Sequence, residues 1–272
     1  IRIEQLRFPV ETLPAFSYQR GLFHVAGEIE VVRKGPVTVA LGAASRLHKG
    51  DRVILAIESG KGRPLKVFAD AVEAQGGALA GSLGLPADQP FALKANAGGT
   101  GGEGRFSLLT TSGGTRPAEA SGTWNADGGV ASGRVSLASS TLTTRYARMF
   151  GDEVRFSGRG GKAKSGLYSI NARAESEVLT VAASGEADIG KRVTGRNGLA
   201  VTLTSRSLGR LTSDVVQGAA ETRGRLTGNQ ASWIYAGALS ANGFKAAGYS
   251  LARAQGPVKV GMKAGELTVE ST

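Results

Sequence analysis

Apolar and polar residues alternate along almost the whole of this chain, and glycine separates the alternating runs. Side chains two apart share one face of an extended strand, so such runs make ribbons with one dry face and one wet face. Phe23, Val25, Ile29 and Val31 begin the series. Val37, Val39 and Leu41 follow, then Val53, Leu55 and Ile57, then Leu65, Val67, Ala69 and Ala71. Leu79, Gly81 and Leu83 read the same way, as do Phe91 and Leu93, Phe106 and Leu108, and Val135 and Leu137. The second half continues with Val154 and Phe156, Tyr168 and Ile170, Leu179 and Val181, and Val201 and Leu203. Trp233 and Tyr235, Val258 and Val260, and Leu267 and Val269 close it. Tight turn signals such as Gly60-Lys61-Gly62, Asp127-Gly128-Gly129 and Asn197-Gly198 stand between the runs. This is the pattern of a meander of roughly 14 to 17 antiparallel strands rather than strands joined by crossover helices.

Two segments leave the two-residue period. Over 141–152, Leu142, Tyr146, Met149 and Phe150 share one helical face, with Gly151 as a stop. Over 205–220, Leu208, Leu211, Val215 and Val216 do the same. Both predict short amphipathic helices lying on the sheet. Over 64–75 the spacing suits either period, and a strand is preferred. The glycine-rich stretch Gly98–Gly104 reads as a long hairpin loop. No strict repeat is visible, only an echo in which a glycine-flanked strand leads to Trp124 and again to Trp233. The fold class predicted is mainly β: an elongated, curled antiparallel sheet forming an open gutter (a β-taco) with one or two short helices, spanning 1–272 as a single segment of a longer protein.

Leu, Ile, Val and Phe make up 63 of the 272 residues, just above the roughly 20% at which chains stop folding. A thin core suits a sheet with one buried face. Glycine, at 41 residues, is about twice its usual share and argues against a helical protein. The longest bulky apolar run, Val53–Ile57, is far short of the ~20 residues of a membrane-spanning helix. The net charge is +11, and between Lys191 and Lys259 ten basic residues face only Asp214 and Glu221. The basic residues are dispersed, as on a solvated strand face, although contact with an anionic partner is the other reading.

Signals for chemistry are sparse. The chain has no cysteine, which removes disulfides, thiolate nucleophiles and thiolate-bound metals and suits an oxidising compartment. His24 and His48 lack metal-ligand spacing. Ser157–Lys162 is glycine-rich but fits neither phosphate-loop pattern. Glu175 and Glu177 read as the polar face of a strand. Catalytic, cofactor and metal sites are therefore all predicted to be none. Aromatic residues are not interleaved with Lys and Arg as in binders of single-stranded nucleic acid, so no nucleic acid partner is expected.

Several stretches resemble the AsmA-like superfamily, and within it the TamB (translocation and assembly module) family of bacterial envelopes. They are Gly76–Leu83, Ala120–Trp124 running through Ser132–Leu137, Arg225–Gly228 running to Trp233, and Tyr249–Ala254 leading into Gly256-Pro257-Val258. The resemblance covers nearly the whole chain in texture and carries no catalytic signature. It implies a β-taco whose apolar trough moves phospholipid across the periplasm of a Gram-negative bacterium, from a parent protein anchored in the inner membrane. It also implies support for outer-membrane biogenesis with an outer-membrane barrel partner.

The residues themselves supply a trough. The predicted lipid-groove lining is Val37, Val39, Leu41, Val53, Leu55, Ile57, Phe91, Leu93, Phe106, Leu108, Val135, Leu137, Val154, Phe156, Leu179, Val181, Val201 and Leu203. Phospholipid acyl chains would fill it at about 0.8 kcal/mol per buried CH₂. The alternatives are a solidly packed, adhesin-like β-solenoid without transport, an outer-membrane-protein assembly scaffold, an outer-membrane barrel, an enzyme on a β scaffold, and a nucleic-acid binder.

Overall fold

The structure, a computed structural model, describes residues 1–33, 35–263 and 265–270. Strands take 67% of it and helices 8%, so the alternation does decide the fold class. Among the described residues seventeen strands form an antiparallel sheet that is not closed into a barrel, with four short helices. The chain divides into two compact units. The first holds Ile1–Ala126 and Gly133–Arg145; the second holds Asp127–Ser132 and Tyr146–Thr272.

In the first unit β1 (Arg2–Thr12), β2 (Gly21–Val31), β3 (Val37–Ser45), β4 (Arg52–Gly60), β5 (Arg63–Glu73), β6 (Phe91–Gly99), β7 (Glu103–Ser112) and β8 (Ala118–Asn125) each pair with the next. Helix α1 (Pro14–Ser17) joins β1 to β2, and α2 (Ala78–Ser82) joins β5 to β6. Strand β9 (Gly128–Ser136) and helix α3 (Thr144–Phe150) contribute residues to both units. The second unit continues with β10 (Glu153–Lys162), β11 (Tyr168–Ser176), β12 (Leu179–Asp188), β13 (Val193–Ser205), β14 (Val216–Gly228), β15 (Ser232–Ala246), β16 (Tyr249–Lys263) and β17 (Glu266–Glu270), again paired in chain order. Helix α4 (Leu208–Thr212) joins β13 to β14.

A repeat absent from the residue pattern appears in the element order. The helices begin at Pro14, Ala78, Thr144 and Leu208, which are 64, 66 and 64 residues apart. Each follows every fourth strand: β1, β5, β9 and β13. Within either unit of an antiparallel meander, connections that follow odd-numbered strands all emerge at the same end. The helices of a unit therefore share one end of its strands. The opposite end is made of hairpins, such as the Thr100–Gly102 turn between β6 and β7.

Several local readings need correction. The 76–83 segment is not a strand: its centre is α2, started by a backbone turn at Gly76 and Gly77. The helix read over 205–220 is only α4, because Ser213 and Asp214 take left-handed backbone angles and β14 begins at Val216. The helix over 141–152 forms from Thr144, but Leu142 and Tyr146 are exposed and the buried residue is Ala147. The 64–75 stretch is a strand, as read, but Gly98–Gly104 is not a long loop: Gly98 and Gly99 end β6, Glu103 and Gly104 begin β7, and only Thr100–Gly102 turns between them.

The most completely buried residues gather at the helix-bearing ends. In the first unit Ala80 and Leu85 of the α2 connection pack with Ala71 and Phe91, with Val53, Leu79 and Leu93 against them. Gly81 of α2 lies so close to α1 that a Cβ there would strike the Ser17 carbonyl. In the second unit Val178 and Ala147 are buried at this end, and Tyr235 is the one large residue buried nearer the hairpins.

Candidate functional site

Cross-strand partners in an antiparallel ladder share a face, so strand registers show which predicted groove residues lie together. In the first unit Val39 stands opposite Ile57 and Leu41 opposite Leu55, with Val37 opposite Ser59 and Val53 opposite Ala43 on the same face. The face continues through Val67, Ala69 and Ala71 of β5 to Leu93 and, opposite Glu73, Phe91. Leu108 lies opposite Ala95, and Phe106 opposite Ala97. Arg134 of β9 pairs at 2.8 Å with Glu119, whose register partner Leu109 is on the other face. Alternation then returns Val135 to the apolar side. Leu137 lies just past the end of β9, where its carbonyl accepts from Thr143 Oγ1.

The second unit repeats the arrangement. Val154 and Phe156 stand opposite Ser176 and Ala174. Ala174 faces Val181, Val181 faces Leu203, Ala183 faces Val201, and Leu179 faces Ser205. Each unit thus gathers its predicted lining on one face. Most of these residues are half-buried; Phe91 is fully buried and Phe156 is exposed.

The same registers add residues that the prediction left out. Phe8 and Val10 pair with Val25 and Phe23, which lead through Ala43 and Ser45 to the face of β3. Leu199, Leu226, Tyr235 and Val260 form one row across β13 to β16. The signal was present in the alternation of Phe23 and Val25, but matching the rows requires the register.

The opposite faces are mostly polar. Lys66 holds Glu58 at 3.0 Å, Arg52 approaches Asp70 at 3.2 Å, and Arg173 pairs with Glu175 at 3.1 Å. The Lys66–Glu58 and Arg173–Glu175 pairs are exposed and add solubility and little stability, whereas Asp70 is itself buried. Ile54, Phe68 and Leu109 are exposed apolar exceptions on this side. His24 and His48 are both exposed, and no group of metal-ligating side chains forms among the described residues.

A buried ionisable group belongs to the apolar side of the first unit. Glu73, in the row of Phe91, is 1% exposed. Its carboxylate oxygens accept from the Leu79 and Ala80 N–H groups at 2.8 and 2.9 Å. Burial pushes its carboxyl pKa above the ordinary value, and the two backbone hydrogen bonds oppose that shift. The free first-turn donors of α2 are thereby satisfied from a neighbouring strand, which is why the helix needs no Ser, Thr, Asp or Asn before it. Elsewhere, the exposed Asp188 carboxyl is held below its usual range, chiefly by the Lys191 backbone N–H.

Comparison with protein-family models, curated proteins and solved structures finds no match to this chain. The chemistry must therefore be read from the faces themselves. A half-buried aliphatic face with helices over one end only can take up hydrocarbon, at about 25 cal/mol for each Å² it removes from water.

Proposed function

We propose that this chain is a segment of a periplasmic, bridge-like lipid carrier of the AsmA-like kind, and that phospholipid acyl chains lie on the apolar faces of its curled sheet. The observation that supports this is the shared face of the predicted lining within each unit, mostly half-buried and not fully buried. A solid β-solenoid would pack these side chains against a second wall and bury them fully. Transport along such a face needs no catalytic group, because the driving contact is non-directional. In this reading the parent protein is anchored in the inner membrane of a Gram-negative bacterium. It meets an outer-membrane barrel partner and delivers phospholipid for outer-membrane biogenesis.

The test uses photocrosslinking side chains introduced in cells at Leu55, Leu93 and Val181, with Ala56, Lys94 and Ala182 as controls on the opposite faces. Phospholipid should be captured at the first set. Capture confined to the second set overturns the proposal, as does native mass spectrometry that finds no lipid on the purified protein.

A further inference from the structure

The ends of the apolar faces differ chemically. Helices and buried side chains occupy one end. Amphipathic side chains stand at the other. Both tryptophans of the chain are here, on the apolar side. In the first unit Trp124 lies in the row of Gly104, beside the hairpin between β6 and β7. Its indole Nε1–H donates to the Thr100 carbonyl in that turn at 2.8 Å. Gly104 makes room for the ring, since a Cβ there would overlap it. In the second unit Trp233 lies opposite Gly228 and Met262 at the hairpin end of β15. Lys162 and Tyr168 form the last pair of β10 and β11, on the face that carries Phe156 and Ile170. Lys162 is exposed and has no ion-pair partner among the described residues. Lys164 follows in the turn, also exposed, while the carboxylate of Glu186 is across the sheet in the row of Ser169 and accepts from Ser165 Oγ.

Trp, Tyr and Lys each join an apolar body to a polar tip, and they collect where hydrocarbon meets water. We infer that the hairpin end of each apolar face is where lipid headgroups sit, and that Lys162 and Tyr168 of the second unit recognise the phosphate of an anionic glycerophospholipid. The acyl chains then point away from this rim toward the helix-covered end. This rests on the lipid-carrying reading above and adds an orientation and a headgroup class to it.

Tryptophan fluorescence tests the orientation directly. Trp124→Phe leaves Trp233 as the single emitter, and Trp233→Phe leaves Trp124. Each variant of the full chain is loaded with phosphatidylglycerol brominated either near the glycerol end or near the methyl end of its acyl chain. Bromine near the glycerol should quench both tryptophans more strongly; stronger quenching from the methyl end overturns the orientation. The headgroup class is read from competition between phosphatidylglycerol and phosphatidylcholine. Lys162→Gln should reduce the preference for phosphatidylglycerol about threefold, the size of one exposed charge contact, while Lys94→Gln on the opposite face leaves it unchanged. Equal binding of both lipids by the unaltered chain overturns the headgroup assignment but leaves the carrier reading intact. Absence of loading by either lipid removes both.

Discussion

The two units fasten their helices with opposite charges. In the first, a buried carboxylate reaches the start of a helix: Glu73 accepts from the first-turn donors of α2. In the second, a guanidinium reaches the end of one. Arg210, on α4, donates to the carbonyls of Ala147 and Arg148 at 3.2 and 3.1 Å and to Glu177 at 2.7 Å. Each arrangement satisfies backbone groups that a short helix leaves free, and each places its charge at the helix terminus that favours it. The difference is depth. Glu73 is sealed in, whereas Arg210 and Glu177 remain partly or largely in water. The same requirement is therefore met by a dry, high-stakes contact in one unit and a wet, forgiving one in the other.

The apolar packing around the two fasteners should show the largest contrast. Phe91→Ala empties the centre of the first unit's cluster and should cost about 3–5 kcal/mol, read as the loss of amide protection across β4 to β7 in hydrogen exchange. Val178→Ala is the nearest equivalent in the second unit, 2% exposed, and should cost about 1–3 kcal/mol. Equal losses from the two substitutions would show that the buried ends are equally packed and would break the contrast.

Next come the fasteners. Glu73→Ala leaves the Leu79 and Ala80 N–H groups buried without acceptors and should destabilise by about 2–4 kcal/mol, seen as a lower urea midpoint. Arg210→Ala leaves the Ala147 carbonyl with the Gly151 N–H at 2.8 Å and frees only that of the exposed Arg148, so it should cost about 1 kcal/mol or less. Arg210→Lys tests whether the fork matters: a single ammonium cannot serve both carbonyls and Glu177, so it should behave more like the alanine variant than like the parent.

These contrasts also explain what could be read in advance. The face assignment was legible because a two-residue period is written into each strand, and Val39, Leu55 or Val181 has only two sides to choose from. Helix α2 was not legible. Its sequence lacks a capping side chain, and Leu79, Gly81 and Leu83 mimic a strand; what selects the helix is Glu73, buried by the fold and opposite Phe91. Helix α1 is a single turn, signalled only by Pro14 at its first position. The spacing of 64 to 66 residues between helices was hidden because the repeats share an order of elements and not a string of residues. The hairpin rim was hidden in part: Trp124 and Trp233 were visible as an echo, but only register placed both on the apolar side.

The smallest effect is also the most specific to Glu73. Its carboxyl pKa is raised from an ordinary value of 4.5, with burial as the main cause. In the pH range between the unfolded and folded values, the native state binds more protons than the unfolded chain, so stability falls as pH rises through that range. The contribution is fully present below the unfolded value and is lost above the folded one. Other carboxylates in exposed ion pairs slope the opposite way, so the test is a difference: the stability of the parent minus that of Glu73→Gln, followed by urea titration from acid to neutral pH. That difference should shrink as pH rises through the window above 4.5. A difference that grows instead would mean that the helix N–H groups outweigh burial in setting the Glu73 pKa.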